Sequence, residues 1–181
     1  MILQMTRAVQ GGLRQEKQFE LISNHLANSG TSGFKADILS FDSLFKANLT
    51  VDTTQGDLKQ TGNSLDCGID GEGFFRIQTD RGVRYTRNGN FTLNTDQTLV
   101  TDNGYPVLGT GGPITIPGEN VYIDKSGDVI SDGNIVGRIA LANFSSPENL
   151  QKDGDTLFVY NGPAADQTVP AGTSIHQGSL E

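Results

Sequence analysis

The sequence has no tryptophan, one cysteine and two histidines, and each scarcity closes off a class of chemistry. Cys67 has no second thiol to pair with, so a disulfide-stapled fold is excluded. His25 and His176 stand far apart, and no Cys/His set has zinc spacing. With aromatics at 7%, an aromatic platform of the kind that recognises carbohydrate is thinly supplied. Positive charge is also short: 13 Lys and Arg face 21 Asp and Glu, for a net charge of −8. Such a chain repels phosphate backbones and offers no basic patch to a membrane surface, so no nucleic-acid partner is expected. No apolar run approaches the ~20 residues of a membrane span, and no membrane insertion is expected. The start, Met1-Ile2-Leu3-Gln4-Met5-Thr6-Arg7, places its charge after the apolar residues and lacks the continuous apolar stretch of a cleaved signal peptide. The expectation is a protein that is cytosolic or leaves the cell without a cleaved signal.

Glycine is abundant, at 23 residues, and the hydrophobic fraction is 35%. Many turns and a modest core follow, as in a β-rich domain. The first 28 residues differ. They contain no proline, and Ile2, Met5, Val9, Phe19, Ile22 and Leu26 recur at helical spacing, with Ala8, Leu13 and Leu21 beside them. A polar turn at residues 14–18 and the pair Gly11-Gly12 leave this helix with one narrow apolar stripe and little intrinsic stability. No second long helical pattern is present to cover the stripe. Either the helix packs on its own β-domain, or it packs against other chains or a helix outside this sequence.

Asn28-Ser29-Gly30 predicts a helix end with a left-handed cap, and Gly33 a second bend. Ile38, Phe41, Leu44 and Phe45 predict a short helical or irregular segment. Residues 50–63 read as an extended connector. From there the period is two. Strands are predicted at residues 74–78, 83–87, 90–93, 98–101, 106–108, 114–116, 121–123, 129–131, 136–144 and 157–160, with Asn88-Gly89 as a two-residue hairpin turn. The close spacing leaves no room for crossover helices. The expected fold is therefore mainly β: an N-terminal helix joined by a short hinge to a compact antiparallel sandwich or barrel-like domain. The divisions are 1–28 for the helix, 29–64 for hinge and connector, 65–160 for the β-domain and 161–181 for a return segment.

Site motifs fail on inspection. Gly71-Glu72-Gly73 opens a dinucleotide fingerprint but has Arg76 at its sixth position and a strand after it. Asp124-Lys125-Ser126-Gly127-Asp128 opens like a calcium loop, yet Val129 and Ile135 occupy the required Gly and Glu positions. Asp66 and Asp70 could form a catalytic carboxylate pair, but beside glycines they read as Asx turns to local amides. Cys67 has no nearby His and reads as a small buried residue. No catalytic residue, cofactor or metal site is expected.

Four blocks carry a resemblance. Asn24-His25-Leu26-Ala27-Asn28 followed by Thr31-Ser32-Gly33-Phe34-Lys35 resembles the N-terminal signature of bacterial flagellar rod and hook proteins, with His25 where Asn is usual. The blocks at residues 65–75, 85–91 and 177–181 match later family signatures, in order. Cys67 and Gly68 stand where small residues such as Ala and Val are common. The β-domain resembles the short rod version, and residues 111–117 and 136–141 resemble the proximal-rod subunit more than the distal one. The resemblance implies a structural subunit that polymerises into a torque-transmitting tube in the periplasm-spanning rod. It implies export by the flagellar secretion apparatus, with copies of itself and other rod and hook axial subunits as partners. It also implies a C-terminal helix after Glu181, packed with the N-terminal one, both disordered in the free subunit. The assembly residues would be Met5, Val9, Phe19, Ile22 and Leu26 on the helix, and Asn24, Asn28, Thr31, Gly33, Phe34 and Lys35 at the joint. A distal-rod or hook-like subunit is the alternative within the family, and a secreted β-rich binding module the alternative outside it.

Overall fold

A computed structural model describes the backbone of residues 2–41, 47–154, 156–163, 167–168 and 172–181, and side chains from residue 11 onward within these ranges except at residues 47–48 and 167–168. One helix, α1, runs unbroken from Ile2–Ala27, straight through Gly11-Gly12. The strands follow in chain order: β1 Asp37–Phe41, β2 Ala47–Val51, β3 Lys59–Gln60, β4 Cys67–Asp70, β5 Phe74–Thr79, β6 Gly82–Thr86 and β7 Phe91–Leu93. Next come β8 Leu99–Thr101, β9 Leu108–Gly109, β10 Gly112–Pro113, β11 Val121–Ile123, β12 Asp128–Ser131 and β13 Asn134–Arg138. The last are β14 Leu141–Phe144, β15 Leu150–Lys152, β16 Leu157–Tyr160, β17 Gln167–Thr168, β18 Ser174–Gln177 and β19 Ser179–Leu180.

Every pairing between these strands is antiparallel. The largest sheet has the order β15-β16-β6-β5-β14-β17, and β11-β12-β13 forms a second. Two-stranded ladders complete the set, and among the described residues the sheets do not close into a barrel. The architecture is mainly β and sandwich-like, as expected.

Strand β5 explains the layering. Successive side chains on a strand point to opposite faces. Phe74 and Phe75 are both buried, so each face of β5 carries a core. On one side Phe75 and Ile77 pack with Cys67, Ile69, Phe91, Leu99 and Ile175. On the other, Phe74 packs with Tyr85, Phe144, Leu150 and Phe158. Its ring meets those of Phe144 and Phe158 at centroid separations of 5.8 and 5.6 Å.

Several local expectations give way to this packing. Asn88-Gly89 makes no hairpin: β6 pairs with β5 and β16, whereas β7 pairs with β8. Neither residue has a positive φ. Gly89 is needed for proximity, since a Cβ there would lie 1.7 Å from the Cys67 carbonyl oxygen. A two-residue hairpin turn with both central residues at positive φ is found instead at Asp132-Gly133, with φ of 47° and 83°, between the paired residues Ser131 and Asn134. Ile38 and Phe41 belong to strand β1 rather than a helical turn, because Asp37–Phe41 pairs along its whole length with β2. Leu44 and Phe45 lie outside the described residues. The single strand expected over 136–144 breaks into β13 and β14, and Ile114 and Ile116 enter the core on either side of the isolated bridge at Thr115.

Candidate functional site

The site is the junction where α1 meets the β-domain. Asn24, Asn28 and Thr31 close the helix by hydrogen bonding. The Asn24 carbonyl accepts from both the backbone and side-chain nitrogens of Asn28, at 3.1 and 3.0 Å. Ser29 donates its amide and hydroxyl to the Leu26 carbonyl, and Thr31 N donates to Asn28 O at 3.0 Å. None of residues 28–30 is left-handed, contrary to the expected cap. Side-chain donors satisfy the final carbonyls here, so the reversal is deferred to Gly33, at φ +71°. At Gly33 the chain lies flat on residues 87–88: a Cβ would sit 2.1 Å from Asn88 N. The block at residues 24–35 thus docks on the block at 85–91.

His25 and Phe34 fasten the helix end to the first hairpin. His25 Nε2 accepts from Asp37 N at 3.0 Å, which requires an unprotonated nitrogen there. The Phe34 ring stands edge-on to His25 at 5.9 Å, with Lys152 Nζ 4.4 Å from its centroid. Lys152 also bonds Asp37 Oδ2 at 2.7 Å. Farther along α1, the Arg14 guanidinium lies 4.8 Å from the Phe41 ring centroid. One face of α1 is therefore spoken for. Phe19, Ile22 and Leu26 project beside it, with 76%, 62% and 74% of their surface exposed. At spacings of three and four they share one stripe. Met5 and Val9 continue the helix backbone, and their side chains lie outside the described residues.

Lys35 turns inward and is almost fully buried. Its ammonium donates to Thr54 O at 2.7 Å and to Glu181 Oε1. Glu181 Oε1 also accepts from Gly56 N at 2.6 Å, and Oε2 lies 3.2 Å from Arg87 Nη1. Arg87 is itself buried and donates to the carbonyls of Ile69 and Gly71, at 3.3 and 2.7 Å. Burial pulls the Lys35 amine below its ordinary value while Glu181 holds it up, and burial does the same to Arg87. The Glu181 carbonyl accepts from Gly33 N at 2.9 Å.

Sequence reasoning missed Arg87 and Glu181. The available signal was their place inside two later blocks, where each is the one charged residue among uncharged neighbours. The Asp66–Asp70 pair does not converge in a catalytic arrangement. Asp66 is buried and accepts from the Thr61 hydroxyl and the Asn63 side-chain amide, at 2.6 and 3.0 Å, rather than from backbone amides. Asp70 is exposed beside His176, at 3.3 Å. Cys67 is fully buried at the start of β4, as expected. Among the described residues no group of His, Cys, Asp and Glu could hold a metal ion, and no helix is long and apolar enough to cross a membrane.

The family model for the flagellar hook protein FlgE/F/G D1 domain matches residues 68–131. The chain is 36% identical to the flagellar basal-body rod protein FlgF of Caulobacter vibrioides, over 98% of this chain and 82% of that protein. It is 31% identical to the flagellar basal-body rod protein FlgG of Bacillus subtilis, over 98% and 84%. It is 28% identical to the flagellar hook-basal body complex protein FlhO of Bacillus subtilis, over 81% and 69%.

Proposed function

The chain belongs to the flagellar rod/hook protein family, as a rod-type structural subunit, and from that premise we propose that α1 and the joint after it are the parts through which it enters the rod. The subunit stacks in head-to-tail contacts whose rotation does not close, which generates a helical tube. Residues 1–28 supply the axial helix, 29–64 the joint and connector, 65–160 the outer wall, and 161–181 the return towards the axis. Its partners are copies of itself and other axial subunits. It reaches the periplasm-spanning rod by the flagellar export apparatus and transmits torque from motor to hook. It performs no catalysis. Residues 111–117 and 136–141 favour the proximal part of the rod.

The observation that carries this reading is the stripe of Phe19, Ile22 and Leu26, bare on a helix whose neighbouring face, with Arg14 and His25, is already occupied. Each such side chain is worth roughly 1.5–3 kcal/mol when buried, so neighbouring helices would gain substantially by covering the stripe. The test is the triple variant Phe19→Ser/Ile22→Ser/Leu26→Ser. It should retain the melting temperature of the β-domain yet fail to incorporate into purified basal bodies. Normal incorporation of the variant would overturn the proposal.

A further inference from the structure

Three charged side chains that are distant in sequence share one buried cluster. Lys35 and Arg87 are 4% and 2% exposed, and the Glu181 side chain is 5% exposed. Removing such charges from water is expensive, and the arrangement persists only because each is paired. The pairing is uneven, with two cations around one carboxylate. Glu181 Oε1 meets Lys35 Nζ and Gly56 N, and Oε2 faces Arg87 Nη1 at 3.2 Å. The same residue's backbone carbonyl takes the Gly33 amide at 2.9 Å. Lys35 and Gly33 belong to the joint, Gly56 to the connector, and Arg87 directly follows β6.

We infer that Glu181 is a positioning residue that clamps the joint onto the β-domain, so that the seating of α1 is set by a residue from the far end of the sequence. The carboxylate is the common counter-charge that lets Lys35 and Arg87 approach each other. Without it the two cations repel across a poorly solvated gap, and the joint lifts from residues 87–88, where Gly33 now lies in contact with Asn88. The clamp adds a regulating element to the reading of the joint given above, on which it rests. Reading the free subunit tests it independently of polymerisation.

The experiment is amide hydrogen exchange on the monomeric full chain. In Glu181→Gln, exchange at Gly33 and Gly56 should accelerate about tenfold or more, while amides of β5 and β6 stay within about twofold of the parent, the pattern of a local opening. Lys35→Met retains the Glu181–Arg87 pair and should accelerate the same two amides. In the double variant the acceleration should fall short of the product of the two single effects, because both remove one shared interaction. Unchanged exchange at Gly33 and Gly56, or equal acceleration throughout the β-domain, would overturn the inference. Should Glu181→Gln fail to fold, Lys35→Met decides by the same criterion.

Discussion

Cys67 combines complete burial with a thiol pushed up to about 12, chiefly by desolvation and further by the neighbouring Asp66 carboxylate. Thiolate is the reactive form, so the native thiol is inert for two separate reasons. A maleimide should leave the folded protein unlabelled and react only after denaturant opens the core, which mass spectrometry at increasing urea would show. Labelling without denaturant would contradict the burial of β4. Asp153 offers a pH test. The Arg84 guanidinium hydrogen-bonds its carboxylate, at 2.5 Å, and holds it below the ordinary value of 3.8, with Arg81 assisting at 2.9 Å. A carboxylate with a depressed native value stabilises the fold above its ordinary value and loses that contribution as pH falls through the native one. The urea midpoint of the parent should therefore exceed that of Asp153→Asn at pH 7, and the gap should narrow below about pH 4. A gap independent of pH would show that the pair contributes by packing alone. Gly89→Ala should destabilise by roughly 3 kcal/mol, since the added methyl would overlap the Cys67 carbonyl and crowd the Phe75 ring.

At the scale of elements, what could be read in the sequence was what periodicity encodes. Helix α1 was legible through its spacing, as were β5, β6, β11 and β16 through alternation. Turn chemistry misled where two sites carried the same signal. Asn88-Gly89 and Asp132-Gly133 both fit a two-residue hairpin, and only the second makes one. The difference lies in what passes nearby, because the Cys67 backbone presses on Gly89, and no local pattern records that contact. The joint was likewise half legible. Gly33 announced a bend, but the surface it bends onto belongs to another motif, and the anchors Arg87 and Glu181 carry no periodic signature. Gly33→Val tests the joint as a unit. A β-branched residue at φ +71° is strained, and its Cβ would collide with Asn88 N. Rod incorporation should be lost, with a smaller effect on the melting temperature of the β-domain. Equal damage to both would show that the joint is an integral part of the β-fold.

The whole molecule divides unevenly in stability. The β-domain has a core on each face of β5, whereas the described side chains of α1 contribute to neither core and the helix meets the sheet structure chiefly at β1. A helix supported on one side depends on tertiary contacts for most of its order. Exchange across α1 in a verified monomer should accordingly be fast, and across β5 and β6 slow. Strong protection of the whole helix would mean that it is a fixed part of the free subunit. Lys35 and Glu181 are separated by 146 positions, so their contact closes a loop containing nearly the whole β-domain. Contacts of such separation form late. A ribosome delivers the joint 146 residues before its counter-charge, so while the β-domain is being made Lys35 has no Glu181 to meet. Sequence order alone thus delays the seating of the helix until the β-domain has emerged.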